Sequence, residues 1–192
     1  MAVINGGEKS VPPNFFRYTF CGGAKKVFVF AIYYSAKHIF AAMSQGEAYW
    51  SVVEPVWASI SIHGGPSRFL REFDAAPVVA RTLFAAHWCH SEVCNGGLYQ
   101  FFNNSTGVLA PEAVRSFHAL GMPKLSAVVA QGVSWFGATY PREWSLRRSL
   151  LATFGGKNTF DEMNKAFFKL IRRENGGFLR AADIFALEND RV

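Results

Sequence analysis

The sequence predicts an all-α protein: a single compact multi-helix domain with short loops punctuated by proline and glycine. Three observations carry that prediction. Apolar residues after residue 46 recur at three- and four-residue steps, the spacing of one helical face. Proline repeatedly opens such a run and glycine closes it. No stretch beyond residue 46 alternates with period two for long enough to make a strand. Half of the 192 residues are apolar and 16% are aromatic, which argues for a packed core and excludes a disordered chain.

Taken in order, the pattern yields six to eight helices. Trp50, Val53, Trp57 and Ile60 form one stripe, stopped by His63-Gly64-Gly65-Pro66. Pro77 opens a run through Leu83, Phe84 and His87 toward Asn95-Gly96-Gly97, and Leu98 re-enters a helix. Pro111 to Gly121, Pro123 to Gly137, and Pro141 to Gly155-Gly156 bracket three more. Thr159-Phe-Asp-Glu162 has the form of a capping box, before a stripe of Phe160, Met163, Phe167 and Leu170. Asn175-Gly176-Gly177 ends that helix, and Phe178–Glu188 reads as a short last one. The two Asn-Gly-Gly triplets read as independent helix ends, since Asn and Gly both tolerate φ > 0.

Charge separates two regions. Lys9, Arg17, Lys25, Lys26 and Lys37 face only Glu8 in residues 1–46. Residues 47–192 carry 15 basic and 13 acidic side chains, so the net +6 belongs mostly to the extension. A nearly neutral domain gives no electrostatic footprint for specific nucleic-acid binding. Val27–Ala36 is apolar but far short of the ~20 residues that span a bilayer. Its basic lead imitates a signal peptide, yet it begins too far from Met1 and lacks a cleavage site. Residues 1–46 read instead as a peripheral extension or the product of an early start codon, although residues 27–34 have strand-like composition. Three cysteines, Cys21, Cys89 and Cys94, form no disulfide framework and point to a reducing, cytoplasmic setting.

The most polar part of the domain runs from Arg81 to Asn104. His87, His90 and Cys94 stand three and four apart, so they share a helical face in the way helical metal ligands do. A fourth ligand would come from elsewhere, and the commoner meaning of so short a pattern is half-exposed histidines beside a buried cysteine. Cys89 or Cys94 beside His87 or His90 also offers a thiolate–imidazole pair, without an orienting third group. A structural reading covers more residues. Glu92, Asn95, Gln100 and Asn103 would satisfy the helix ends at the Gly96-Gly97 corner, with Leu98, Phe101 and Phe102 anchoring the next helix. A polar cluster of Glu92, Asn95, Gly96, Gly97, Gln100 and Asn104 beside that corner is the candidate binding site.

That segment carries a family resemblance. Glu92-Val-Cys-Asn-Gly-Gly-Leu-Tyr-Gln-Phe-Phe-Asn-Asn-Ser-Thr-Gly107, followed by Pro111-Glu112-Ala113, resembles the signature of the DNA-mimic protein nineteen family. Ala119-Leu-Gly121, Phe136-Gly137, Tyr140-Pro141-Arg142 and Glu174-Asn-Gly-Gly-Phe178 extend the likeness over residues 47–192. The resemblance implies an all-α fold and a role in binding another protein. The family's DNA mimicry needs carboxylates spaced like phosphates, and a balanced domain with no acidic run does not supply them.

The leading expectation is therefore a non-enzymatic, cytoplasmic protein that binds another protein and needs no cofactor. A transcription regulator and a toxin neutralised by an immunity-type protein are the partner classes, and self-association stays open. Trp135, Phe136, Tyr140 and Trp144 beside Arg142, Arg147 and Arg148 make the candidate patch, because aromatics and arginine dominate interface hot spots. The alternatives are a metal-binding protein or hydrolase built on His87, His90, Cys94 and Glu92, or nucleic-acid binding through the same arginines with Lys169, Arg172 and Arg173.

Overall fold

A computed structural model describes residues 45–189, and the extension's strand-like and signal-like features lie outside them. Among the described residues there are eight α-helices and no strand. They are α1 (Glu47–Trp57), α2 (Pro66–Ala75), α3 (Val78–Asn103), α4 (Ala110–Ala119), α5 (Pro123–Ser134), α6 (Trp144–Thr153), α7 (Asp161–Arg173) and α8 (Phe178–Asn189). Short 3-10 turns at Ser105–Leu109, Lys157–Phe160 and Glu174–Gly176 precede α4, α7 and α8.

Helix α3 is the axis. It packs against α1, α4, α6, α7 and α8, and its own residues Leu83, Phe84, Leu98, Phe101 and Phe102 are fully buried. Burying a side chain of that size stabilises the fold by about 1.5–3 kcal/mol. The Phe102 ring lies 5.1–5.7 Å from the rings of Phe136, Phe101 and Phe160, within the range of favourable aromatic pairs. It fits because α5 carries Gly132, where a Cβ would stand 2.8 Å from the Phe102 ring.

Four helix ends are closed by side chains from distant elements. The Asp183 carboxylate on α8 accepts from Gly46 N (2.7 Å) and Tyr49 N (3.0 Å), so it caps α1. Glu174 accepts from Lys124 N and Leu125 N at the start of α5. Asn164 of α7 accepts from Leu98 N, where α3 restarts after Gly96 and Gly97 leave the helical conformation. Asn175 donates to Leu120 O at the end of α4.

Several boundaries differ from the sequence reading. The sequence pattern places no element at residues 66–75, yet they form α2, with Pro66 in its first turn and Phe69 and Phe73 buried. Phe69, Leu70, Phe73 and Ala76 do recur on one helical face, but the run is only ten residues long and lies between the turn signals Gly64-Gly65 and Pro77. Helix α1 ends at Trp57, so Ile60 is buried from the following turn rather than from the stripe. Helix α6 begins at Trp144 rather than at Pro141, because Arg142 and Tyr140 are held in an extended approach by contacts described below. The capping box does not form. The Thr159 hydroxyl donates to Phe154 O at 2.5 Å, and exposed Glu162 pairs with Lys165. A 3-10 turn ahead of α7 removes the N-cap geometry that the box requires. No described helix is long and apolar enough to cross a membrane.

Candidate functional site

Glu92 is 8% exposed, on the last full turn of α3 before its break. Gly97 has φ 77° and ψ 179°, a conformation closed to side-chain-bearing residues, and it turns the chain so that Gln100 and Asn104 come back over Glu92. Both Gln100 Nε2 and Asn104 Nδ2 donate to Glu92 Oε2 at 2.8 Å. Thr106 Oγ1 donates to Oε1, also at 2.8 Å. A buried carboxylate with three donors is satisfied where it stands.

The structure thus brings together Glu92, Gln100 and Asn104 of the predicted cluster, around the Gly96-Gly97 turn. Asn95 is exposed and takes no part. The expected satisfaction of backbone groups by Glu92 is also corrected, since its partners are side chains and the backbone N–H of Leu98 goes to Asn164. Thr106 completes the carboxylate's set. It sits within the quoted signature, but nothing in its spacing marks it. Asn164 lies 66 positions away and has no local sequence signal.

The other side of the same turn is held by residues 140–148. Tyr140 donates to Gly107 O (2.8 Å), and the Trp144 indole to Asn103 O (2.5 Å). Arg142 grips Glu112 through two bonds of 2.6 and 2.9 Å and also donates to Val108 O. Arg147, with no exposed surface, donates to Phe102 O (3.1 Å), Asn104 O (2.8 Å) and Arg142 O (2.6 Å). Five carbonyls between residues 102 and 108, at the end of α3 and in the 3-10 turn after it, accept from this segment, two of them in addition to a backbone bond: Asn104 O from Gly107 N and Gly107 O from Ala110 N. Burial lowers the Arg147 guanidinium from its ordinary value, and burial raises the Tyr140 hydroxyl. Burial pushes the Glu112 carboxyl up, but the hydrogen bonds and charge of Arg142 outweigh it and hold the group below its ordinary value.

The predicted patch is therefore divided. Phe136, Tyr140 and Arg147 are buried, so the expectation of an exposed aromatic and guanidinium there is corrected for those residues. Arg142 is half-buried in its ion pair, and Trp135 packs on Phe160 with ring centres 5.0 Å apart. Trp144 and Leu146 remain 45% and 51% exposed, with the exposed Arg148 guanidinium 4.6 Å from the Trp144 ring centre.

The histidines and cysteines do not converge. His87 is buried among Tyr49, Trp50, Trp57 and Trp88, with Nδ1 3.3 Å from the Tyr49 hydroxyl. His90 lies against the Phe178 ring, centre to centre 4.4 Å. Burial pushes His87 down to about 3 and His90 to about 4. Cys89 is buried, and burial raises its thiol well above the ordinary value, the reverse of what a nucleophile requires. Among the described residues no three His, Cys, Asp or Glu side chains gather as a metal ion would need.

Searches of curated proteins and of solved structures return no match to this chain. The sequence profile described as DMP19-like protein matches residues 74–188, which contain the whole Glu92 turn and the 140–148 segment around it. The chain belongs to the DMP19-like protein family.

Proposed function

We propose that this protein acts by binding another protein, through the surface at the start of α6. One observation carries the reading: Trp144 and Leu146 stay about half exposed beside Arg148 on a segment that is otherwise fastened to the core. Large apolar side chains and arginine are the usual anchors of an interface. The Trp144 indole is already held by Asn103 O, so little side-chain freedom is lost on docking. The polar groups that could have marked an active site are instead occupied within the fold: Glu92 by three donors, Arg147 by carbonyls, His87 and His90 by aromatic rings.

Charge argues that the partner is engaged by something other than a phosphate-like surface. Glu72, Glu112 and Glu162 pair with basic neighbours, Glu92 is buried, and Glu174 and Asp183 cap helices. No row of free carboxylates remains from those residues to imitate duplex DNA. A transcription regulator or a toxin, met through an apolar and cationic face, fits this surface.

The test is capture from the source organism's lysate with the full chain as bait, beside a Leu146→Glu, Arg148→Glu variant. Both side chains are exposed and bear no hydrogen bond of the fold, so the variant keeps its helicity. A stoichiometric partner reduced at least about tenfold by the variant is the expected result. Equal recovery by both baits would place the interface elsewhere.

A further inference from the structure

We infer that the corner where α7 runs into α8 is a second docking surface, one that receives an acidic segment of a partner protein. Five exposed cations stand on the elements joined there: Lys169, Arg172 and Arg173 near the end of α7, Arg180 in the first turn of α8, and Lys124 in the first turn of α5. Glu174 ties the three elements together, because its carboxylate lies at the α7 end and accepts from Lys124 N (2.9 Å) and Leu125 N (2.8 Å). Arg180 lies over the same turn, since a Cβ on Gly176 would be 2.5 Å from Arg180 Cδ. The ion pairs of the described residues involve Arg68, Arg81, Arg115, Arg142 and Lys165, and none of these five.

The helix dipole explains only part of this arrangement. Arg172 and Arg173 stand at a helix C-terminus, where a cation is favoured. Lys124 and Arg180 stand in N-terminal turns, where the dipole disfavours a cation; the Lys124 backbone is tied to Glu174 and Arg180 lies over Gly176. The Glu174 carboxylate at the α7 end has both its oxygens engaged by backbone N–H groups. The local excess of positive charge is thus maintained against the preference of two helix ends, in a domain whose charges otherwise nearly balance.

The dimensions and composition favour an acidic polypeptide. Lys169 to Arg173 covers only about 6 Å of helix, a match for a few carboxylates rather than a long phosphate row. Exposed Asp161 and Glu162 at the opposite end of α7 would repel an extended polyanion. The large exposed hydrophobics are Val78, Trp144 and Leu146, so the corner has no apolar side chain of that kind to stack on a base or enter a bilayer. This surface shares no residue with the α6 face, so failure of one reading leaves the other standing.

The experiment uses the full chain and a short fluorescent peptide of alternating Glu and Asp, titrated at low and high salt. Duplex DNA and phosphatidylserine-containing vesicles are titrated alongside. The expected result is salt-dependent peptide binding that weakens at least about tenfold in a Lys169→Glu, Arg173→Glu, Arg180→Glu variant. A Lys169→Gln, Arg173→Gln, Arg180→Gln variant repeats the comparison without charge reversal and should also weaken binding. No peptide binding, peptide binding unchanged by both variants, or tighter variant-sensitive binding to DNA or vesicles would overturn the proposal.

Discussion

Arg147 and Arg148 are chain neighbours with opposite environments. One has no exposed surface and gives its donors to four backbone carbonyls; the other lies on the Trp144 ring in solvent. Sequence alone treats them alike, because helix α6 is only modestly amphipathic and both residues sit in a basic run. Glu92 shows what was legible at this scale. Its place among apolar residues calls for hydrogen-bond partners, and Gln100 and Asn104 from the same signature supply two of them. Thr106 was hidden because its role depends on a 3-10 turn with no periodic signal. Glu92→Gln tests the carboxylate. An amide has one acceptor oxygen where the site presents three donors, so at least one donor loses its partner and the new NH2 faces others. Urea unfolding should show a loss of about 2–4 kcal/mol with an unchanged slope.

At the scale of elements, most helices could be read from apolar spacing and proline, and their ends less well. Glycine pairs explain the difference. Gly65, Gly97 and Gly177 each stand just before a helix with φ between 77° and 92° and ψ between 162° and 179°. The second glycine of each pair thus opens the next helix, where the sequence reading assigned the pairs to closing the previous one. Caps are likewise invisible locally, because Asp183, Glu174 and Asn164 reach them from 49 or more positions away. Gly97→Ala should destabilise by about 2 kcal/mol or more, from backbone strain together with a Cβ 2.8 Å from Asn164, whose bond to Leu98 N it disturbs. Gly137→Ala, with positive φ but nothing within 4 Å of a Cβ, should cost only the strain, about 1 kcal/mol. Thermal melts of the two variants make that comparison.

For the molecule as a whole, the histidines tie stability to pH. His87 and His90 are held neutral in the fold at about 3 and 4, whereas each protonates near 6.5 in the unfolded chain. The unfolded state therefore binds more protons between those values. Their stabilisation is fully present above about pH 6.5 and is lost as pH falls toward 4, by up to about 1.4 kcal/mol per pH unit for each histidine. Urea midpoints should decline through pH 6 to 4.5, above the range in which Glu112 takes up its proton. His87→Phe should flatten that decline, since it removes one of the two titrations while keeping an aromatic ring among Tyr49, Trp50 and Trp57.

The central claim is that residues 140–148 have an inner side that closes the end of α3 and an outer side on which the fold does not depend. The unfolding free energies of Arg147→Met and Arg148→Glu, measured in urea under one set of conditions, test it most directly. The account predicts a loss of about 3 kcal/mol or more for Arg147→Met, which removes the guanidinium donors from four carbonyls, and a change within about 0.5 kcal/mol for Arg148→Glu. Equal losses in the two variants would contradict it.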